Sequence, residues 1–586
     1  MKRISLFAMT ALLLGSLSAN AQYKFPGGQG TVEDPYQIKT AEDLSHVRDY
    51  LQTSDVNFKV MNDIDLTEFI GDGVWEPIGT SAANGFEGVF DGGNFTITGL
   101  INDSGNSGLG LFGRMNTPGV IKNVVIDGAD IEGNQWCGIL LSTNGNWEKD
   151  GGTVQNCHVY NSFLAGAAAL GAIVGENVGD IIDCSGVYNT IECSGNNAGG
   201  ITGNSNWSTP RKIENCFSVA TISGNETIGG ISGLFHFKKG LNGEPSMKNC
   251  AAYGYINGKQ YCGGLVGYQG EAESVFDMDY ANVDVTGTQV GGIGGAPLGG
   301  IVNNTYCTGT INALTNGGDD WAGGIAAAAY GGFDGVYFAG EITGDAVMKG
   351  AICGRNYWQP FYIKNAYYKT GSAPQAMGQG AANQELYQIT ELSDADMKSL
   401  SKMTLDKTKW QVKEGQTTPY FVGQTSPLVI EECTVDGANG TCDSNVDQLY
   451  FYNSNGAITY SSVTIENGRW SVVWDKGILN EGNKVVAFCK ESGKMPSQVV
   501  SAKATMGSVE SVSADSKVEV VATDGAIVIK SDSDATYSIF NIAGAALMQG
   551  NAAAGESVIS TESFSHGIYV VVVNTENGAI SRKVVL

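Results

Sequence analysis

The 586-residue chain holds 34 basic against 60 acidic residues, a formal charge of −26. Such a surface repels phosphate backbones and anionic lipid, which excludes nucleic acid and the membrane surface as partners. Apolar residues make up 42% of the chain, ample for a core, and 82 glycines recur at turns between strand-like runs without the every-third-residue rule of collagen.

Residues 1–21 read as an export signal: Lys2 and Arg3 form the charged end, Leu6 to Leu17 the apolar stretch, and Ala19-Asn20-Ala21 the cleavage site. The apolar stretch is too short to remain in a bilayer and no later segment is long enough, so no membrane span is expected. The first cysteine is Cys137, which argues against a lipid-anchored N-terminus. The expected location is the outer cell surface or the extracellular space. Residues 22–100 read as an N-terminal cap and first coils. Thr40, with Asp43 three residues on, starts a helix to about Leu51. Short strands follow at Phe58 to Met61, Ile64 to Leu66, Gly88 to Phe90 and Thr96 to Leu100, and Asp63 and Asp65 read as turn caps, with a calcium-binding pair as the alternative.

From 101 to 372 the chain repeats a small or apolar residue, a glycine pair and an aliphatic residue, as in Ala198-Gly199-Gly200-Ile201 and Cys262-Gly263-Gly264-Leu265. The lead glycines stand at 110, 138, 171, 199, 229, 263, 291, 323 and 350, a mean period of 30. The runs are short, with no helical periodicity between them, and the period is too small for a propeller blade. The expected class is mostly β: a right-handed parallel β-helix of about 30-residue coils, roughly 40–50 Å long before its caps, followed by two small β-sandwich domains. Asn123, Asn156, Asn215, Asn249, Asn304 and Asn365 would stack as a side-chain ladder at one turn, with Asp183 substituting in its coil. Cys157, Cys184, Cys216 and Cys250 share one slot and read as a buried column rather than a metal or redox site. Gly108-Leu109-Gly110-Leu111-Phe112-Gly113 fits a dinucleotide fingerprint but is one copy of the repeat, without the helix such a site needs.

Residues 373–425 break the pattern and read as the far cap, with a helix to about Met403 capped by Ser393, then Trp410 and Thr418-Pro419-Tyr420-Phe421. Residues 426–506 read as one β-sandwich, from the alternation in Gln448-Leu449-Tyr450-Phe451-Tyr452 and Trp470-Ser471-Val472-Val473-Trp474. Residues 507–586 read as a second, with strands Ala526 to Lys530, Thr536 to Ile542, Gly567 to Val573 and Ser581 to Leu586. Cys433 and Cys442 lie outside the repeats and are the disulfide candidate, because export reaches an oxidising compartment.

Three segments carry resemblances. The Gly-Gly-Leu-Val-Gly core at 263–267, its copies and the Asn-Cys strands resemble the GLUG-motif repeats of bacterial surface proteins. Asp63-Ile64-Asp65-Leu66, Trp75-Glu76-Pro77-Ile78-Gly79 and Phe86-Glu87-Gly88-Val89-Phe90-Asp91-Gly92 resemble the entry segment of that family. Residues 426–506 resemble a bacterial immunoglobulin-like module. Tyr537-Ser538-Ile539-Phe540-Asn541-Ile542-Ala543-Gly544, His566-Gly567-Ile568-Tyr569-Val570 and Arg582-Lys583-Val584 resemble the C-terminal sorting domains of Bacteroidetes exported by the type IX route. The resemblances imply surface adhesion or substrate capture and passage through the secretion machinery, and they bring no shared catalytic residues.

Walker A, His-Glu-x-x-His and Gly-x-Ser-x-Gly sequences are absent, and His46, His158, His236 and His566 are scattered, so no cofactor and no metal are expected. Aromatic residues are the ligand-binding candidates. Trp147, Trp207 and Trp358 follow their lead glycine by nine, eight and eight residues, and Phe237 by eight. Trp136, Tyr261 and Trp321 each stand two residues before it. Stacked coils turn these into two partial columns able to stack on sugar rings or anchor a protein. The expected function is that of an exported adhesin binding a host or dietary glycan or a surface protein. The alternatives are a polysaccharide-degrading enzyme using Asp277 with Asp279 or Asp319 with Asp320, and a structural surface protein.

Overall fold

The glycine at the head of each repeat fixes the path of the chain. A Cβ on Gly171, Gly199, Gly229, Gly263 or Gly291 would fall inside the van der Waals envelope of the carbonyl oxygen three residues on. Only glycine permits that close return. The aliphatic residue two places later then points inward, and Ile173, Ile201, Ile231, Leu265, Ile293 and Ile325 are fully buried. Their backbones bond coil to coil, from Ile173 N–H to Ile201 O at 3.0 Å through to Ile325 N–H to Ile352 O at 2.9 Å.

The computed structural model describes residues 23–586 except 207–209, 241, 296–297, 319, 357–361, 380–386, 507–517, 524, 542–545, 562, 565–567 and 576–577. The export signal, Trp207, Asp319, Trp358 and His566 therefore lie outside the described residues. The chain is 53% strand and 4% helix, and its main body is a parallel β-solenoid of about ten turns. One column of in-register partners runs Lys59, Asp91, Lys122, Gln155, Ile182, Glu214, Lys248, Asp277, Asn303, Asp334, Lys364. Its steps range from 26 residues (Asp277 to Asn303) to 34 (Glu214 to Lys248). A second face stacks Phe112–Met115, Leu141–Asn144, Val174–Asn177, Thr202–Ser205, Ser232–Phe235 and Val266–Tyr268 in parallel.

The first of two compact units joins this solenoid, up to Val429, with Cys442–Ile458 and Val486–Val500. Its entry cap forms as the sequence indicates. Thr40 and Asp43 make a reciprocal capping box, with α-helix over Ala41–Ser45 and a 3-10 turn over His46–Tyr50. Asp63 and Asp65 accept from Thr96 N–H at 2.8 Å and Thr67 N–H at 2.9 Å, as turn caps. The far cap differs from expectation. Ser393 Oγ does accept from Asp396 N–H at 3.1 Å, but the segment forms two 3-10 turns, Asp396–Lys398 and Leu400–Lys402, in place of one helix. The two turns bury Met397 and Met403 against the outside of the solenoid.

That outside surface is a tyrosine ladder. Tyr280, Tyr306, Tyr337 and Tyr367 are in-register partners, with ring centroids 4.4 Å apart at Tyr280–Tyr306 and 4.7 Å at Tyr306–Tyr337. Trp410 and Phe421 of the cap cover them, and Tyr306 Oη donates to Gln424 Oε1 at 2.7 Å. Beside the ladder, strand Gln448–Asn453 and its antiparallel partner Lys484–Lys490 bring Phe488 onto Tyr253, stacked at 4.1 Å.

The second unit comprises Ile430–Thr441, Thr459–Val485 and Ser501–Leu586, built of small antiparallel sheets with one parallel bridge, Thr434 to Thr505. Arg469–Trp474 pairs with Gly437–Thr441 and with Tyr460–Glu466. The last strands, Ala535–Asn541, Ile568–Thr575 and Gly578–Val585, bury Ile539, Val571 and Val573 completely, together with Ile527 and Ile529 of Ala526–Ser531.

Candidate functional site

Among the described residues the aromatic candidates do not assemble into a stripe. The slot of Trp136 runs on through Ala169, Asn197, Thr227, Tyr261, Gln289 and Trp321, so three non-aromatic rungs separate Trp136 from Tyr261. Trp136 is 44% exposed and Tyr261 half-buried, whereas Trp321 is buried with the Arg355 guanidinium 4.7 Å above its ring. In the other slot Trp147 stands 72% exposed while Phe237 packs inside on Phe235 at 5.5 Å.

Of the carboxylate pairs, Asp277 and Asp279 are both described, and they do not converge. Met278, at φ +63°, turns Asp277 and Asp279 apart. Asp277 accepts from Asn304 Nδ2 at 2.6 Å and pairs with Lys409 at 3.3 Å. Asp279 is fully buried, accepting from Cys250 N–H at 2.8 Å with its other oxygen unpartnered, and burial holds its carboxyl well above the ordinary range. Asp320, also buried, accepts from Thr315 Oγ1 at 2.5 Å and Asn316 N–H at 3.1 Å, tying a turn. Asp279 thus binds a proton in the folded chain where the unfolded chain has lost it. That linkage stabilises fully below the ordinary value of 3.8 and is lost as pH rises toward the folded value. Asp279→Asn keeps an acceptor for Cys250 and needs no proton. It should match wild type near about pH 4 and exceed it in urea-unfolding midpoint at about pH 8.

The cysteine column forms as a column of buried free thiols: burial pushes Cys157 and Cys216 up, and Cys250 and Asp279 continue the stack. Cys433 and Cys442 are also free, so the anticipated bridge between them is not made. Cys433 adjoins the tight turn closed by Thr434 N–H and Gly437 O at 2.8 Å, whereas Cys442 follows the far end of strand Gly437–Thr441.

What the solenoid unit does assemble is a cleft of about 1060 Å³. One wall is the asparagine ladder. Asn123, Asn156, Asp183, Asn215 and Asn249 all take left-handed backbone at φ from +49° to +56°, which asparagine and aspartate tolerate. Asn156 Nδ2 donates to Asn123 Oδ1 at 2.8 Å, Asn215 to Asp183 at 2.9 Å, and Asn249 to Asn215 at 3.0 Å. An amide has two N–H donors and two acceptor lone pairs. The Asn215 rung therefore keeps one of each for the cleft. The opposite wall is Gln448, Tyr450, Lys490 and residues 492–496. Phe217 and Tyr450 meet edge to face at 5.8 Å, and Tyr160, Lys248 and His158 also line the cleft.

The ladder sets the state of His158. Asn156 spends its N–H groups on Asn94 at 3.1 Å and on Asn123, so its Oδ1 accepts from His158 Nε2–H at 3.1 Å. Nδ1 is then the acceptor for Ser185 Oγ–H at 2.8 Å. Burial, with Lys490 nearby, lowers the imidazole pKa and keeps the ring neutral. Ser185 is 1% exposed, so the pair orients the ring instead of presenting a nucleophile. The sequence reading marked the ladder but missed the cleft. Its second wall lies more than 230 residues from Asn215, and only the tyrosines spaced at 280, 306, 337 and 367 signalled that this outer face is covered.

The architecture is that of an exported β-solenoid with a sorting tail. Residues 523–586 match the family model of the secretion system C-terminal sorting domain. The tail belongs to the type IX export route, and the protein is exported, surface-attached or extracellular. Among the described residues no helix is long and apolar enough to cross a membrane. A "Putative Gly-rich membrane protein" of Evansella cellulosilytica is 43% identical over 107 residues, 18% of this chain and 12% of that protein. "Halomucin" of Haloquadratum walsbyi is 28% identical over 159 residues, 26% of this chain and 2% of that protein. The chain thus spans a small part of the curated relatives it matches. Among solved structures, a "putative immunoglobulin A1 protease" from Bacteroides ovatus covers 68% of this chain and 95% of its own at 19% identity and TM-score 0.30. The BSP domain of a biofilm associated protein covers 27% and 29% at 11% identity and TM-score 0.12.

Proposed function

We propose that the protein is a surface adhesin or capture protein that holds an extended glycan chain in the ladder cleft. The resemblance of the repeats at 101–372 to GLUG motifs fits that role. The observation that carries it is the recurrence of an amide along one cleft wall, at Asn123, Asn156, Asn215 and Asn249, with the Asp183 carboxylate between. Rungs of parallel strands lie about 4.8 Å apart, close to the advance of one pyranose along an extended chain. A sugar at the Asn215 rung would meet one N–H donor and one carbonyl acceptor, with the half-buried Tyr160 ring as an apolar platform.

The test is binding of the full chain to a glycan panel, with Asn215→Gly and Asn249→Gly as variants. Glycine keeps the left-handed backbone while deleting the amide. Each variant should bind about tenfold more weakly at little change in melting temperature. Undiminished binding would place the site elsewhere, and release of reducing ends would replace the reading with an enzymatic one.

A further inference from the structure

The charge of the cleft runs against that of the chain. The protein has 60 acidic and 34 basic residues, yet the charged residues lining the cleft are Lys248, Lys490 and Lys494 against Asp183 alone. Lys494 is paired with Glu491 at 2.7 Å, while Lys490 closes no ion pair among the described residues. Lys490 is half-buried, and that burial pulls its ammonium below the ordinary range, although Asp447 and Asp183 pull the other way. A partly desolvated cation without a partner is costly and gains most from an anion that supplies one. His158 stays neutral beside it, with its proton position fixed by Asn156, so it adds no competing charge.

We infer that the cleft selects glycans bearing carboxylates, with Lys490 meeting the carboxylate while the ladder amides meet the hydroxyls. The inference rests on the cleft reading above. A carboxylate on every sugar of a uronic acid chain and a terminal carboxylate on a sialylated chain share this chemistry.

The experiment is calorimetric titration of the full chain with four probes. These are oligogalacturonate, its methyl ester, a sialylated oligosaccharide and its desialylated form. At least one acidic probe should bind about tenfold or more tightly than its neutral counterpart, with the preference shrinking as salt is raised. Lys490→Gln should abolish the preference and Lys490→Arg should keep it. Lys248→Gln, on the other wall, should reduce it even if Lys490→Gln does not fold. Preference for oligogalacturonate assigns an in-chain uronate, and preference for the sialylated probe alone assigns a terminal sialate. Equal affinity for acidic and neutral forms in wild type overturns the inference and leaves the glycan cleft standing. Binding of none of the four overturns both.

Discussion

Gly263→Ala should lower the stability of the solenoid unit by about 3 kcal/mol. The added Cβ would press on Val266 O, Gly295 N and Gly294 Cα, all of them main chain of its own and the next coil. None can retreat without breaking the bonds from Leu265 N–H to Ile293 O at 3.0 Å and from Val266 N–H to Ile293 O at 2.9 Å. A solenoid coil touches only its neighbours, so a broken interface is not compensated from elsewhere. Gly423→Ala is the matched control. That glycine has open space around it and no left-handed φ, and its replacement should change stability by no more than about 0.5 kcal/mol. Urea unfolding of both variants checks the pair, and equal midpoints would refute the close-approach explanation of the repeat.

Tyr306→Ala should cost about 3–5 kcal/mol, as expected for a fully buried aromatic ring. The ring lies between Tyr280 and Tyr337 and touches Trp410 at 5.6 Å and Phe421 at 5.2 Å. Its loss opens a hole where the cap meets the solenoid. Tyr306→Phe should cost only about 1 kcal/mol, because Gln424 Oε1 still accepts from Phe421 N–H at 3.2 Å. The two variants separate packing from hydrogen bonding. Limited proteolysis should cut residues 397–421 rapidly in Tyr306→Ala and at the wild-type rate in Tyr306→Phe. Equal resistance in both would mean that the ladder does not hold the cap.

Much of the solenoid was legible in the sequence, because its determinants are local and repeat. The glycine spacing gave the coil, and the aliphatic residue two places on gave the core. Asparagine at one slot gave the side-chain ladder at one turn. The side-chain columns were harder to place, since a mean period of 30 hides coil lengths that vary by several residues. Trp136, Tyr261 and Trp321 share a register yet are spaced out by Ala169, Asn197 and Thr227. Asp277 and Asp279 looked like neighbours on one face until Met278 took left-handed backbone. The cleft was not legible at all, because Tyr450 and Lys490 reach the ladder only through tertiary packing on the tyrosine face.

Hydrogen–deuterium exchange of the full chain, with and without the tightest-binding glycan of the panel, tests the central claim most directly. Both walls of the cleft should gain protection together: peptides covering residues 154–160, 213–218 and 247–251 on the ladder side, and 448–452 and 488–496 opposite. Protection confined to strand Gln135–Gly138 and the exposed segment around Trp147, with both walls unchanged, would contradict the assignment.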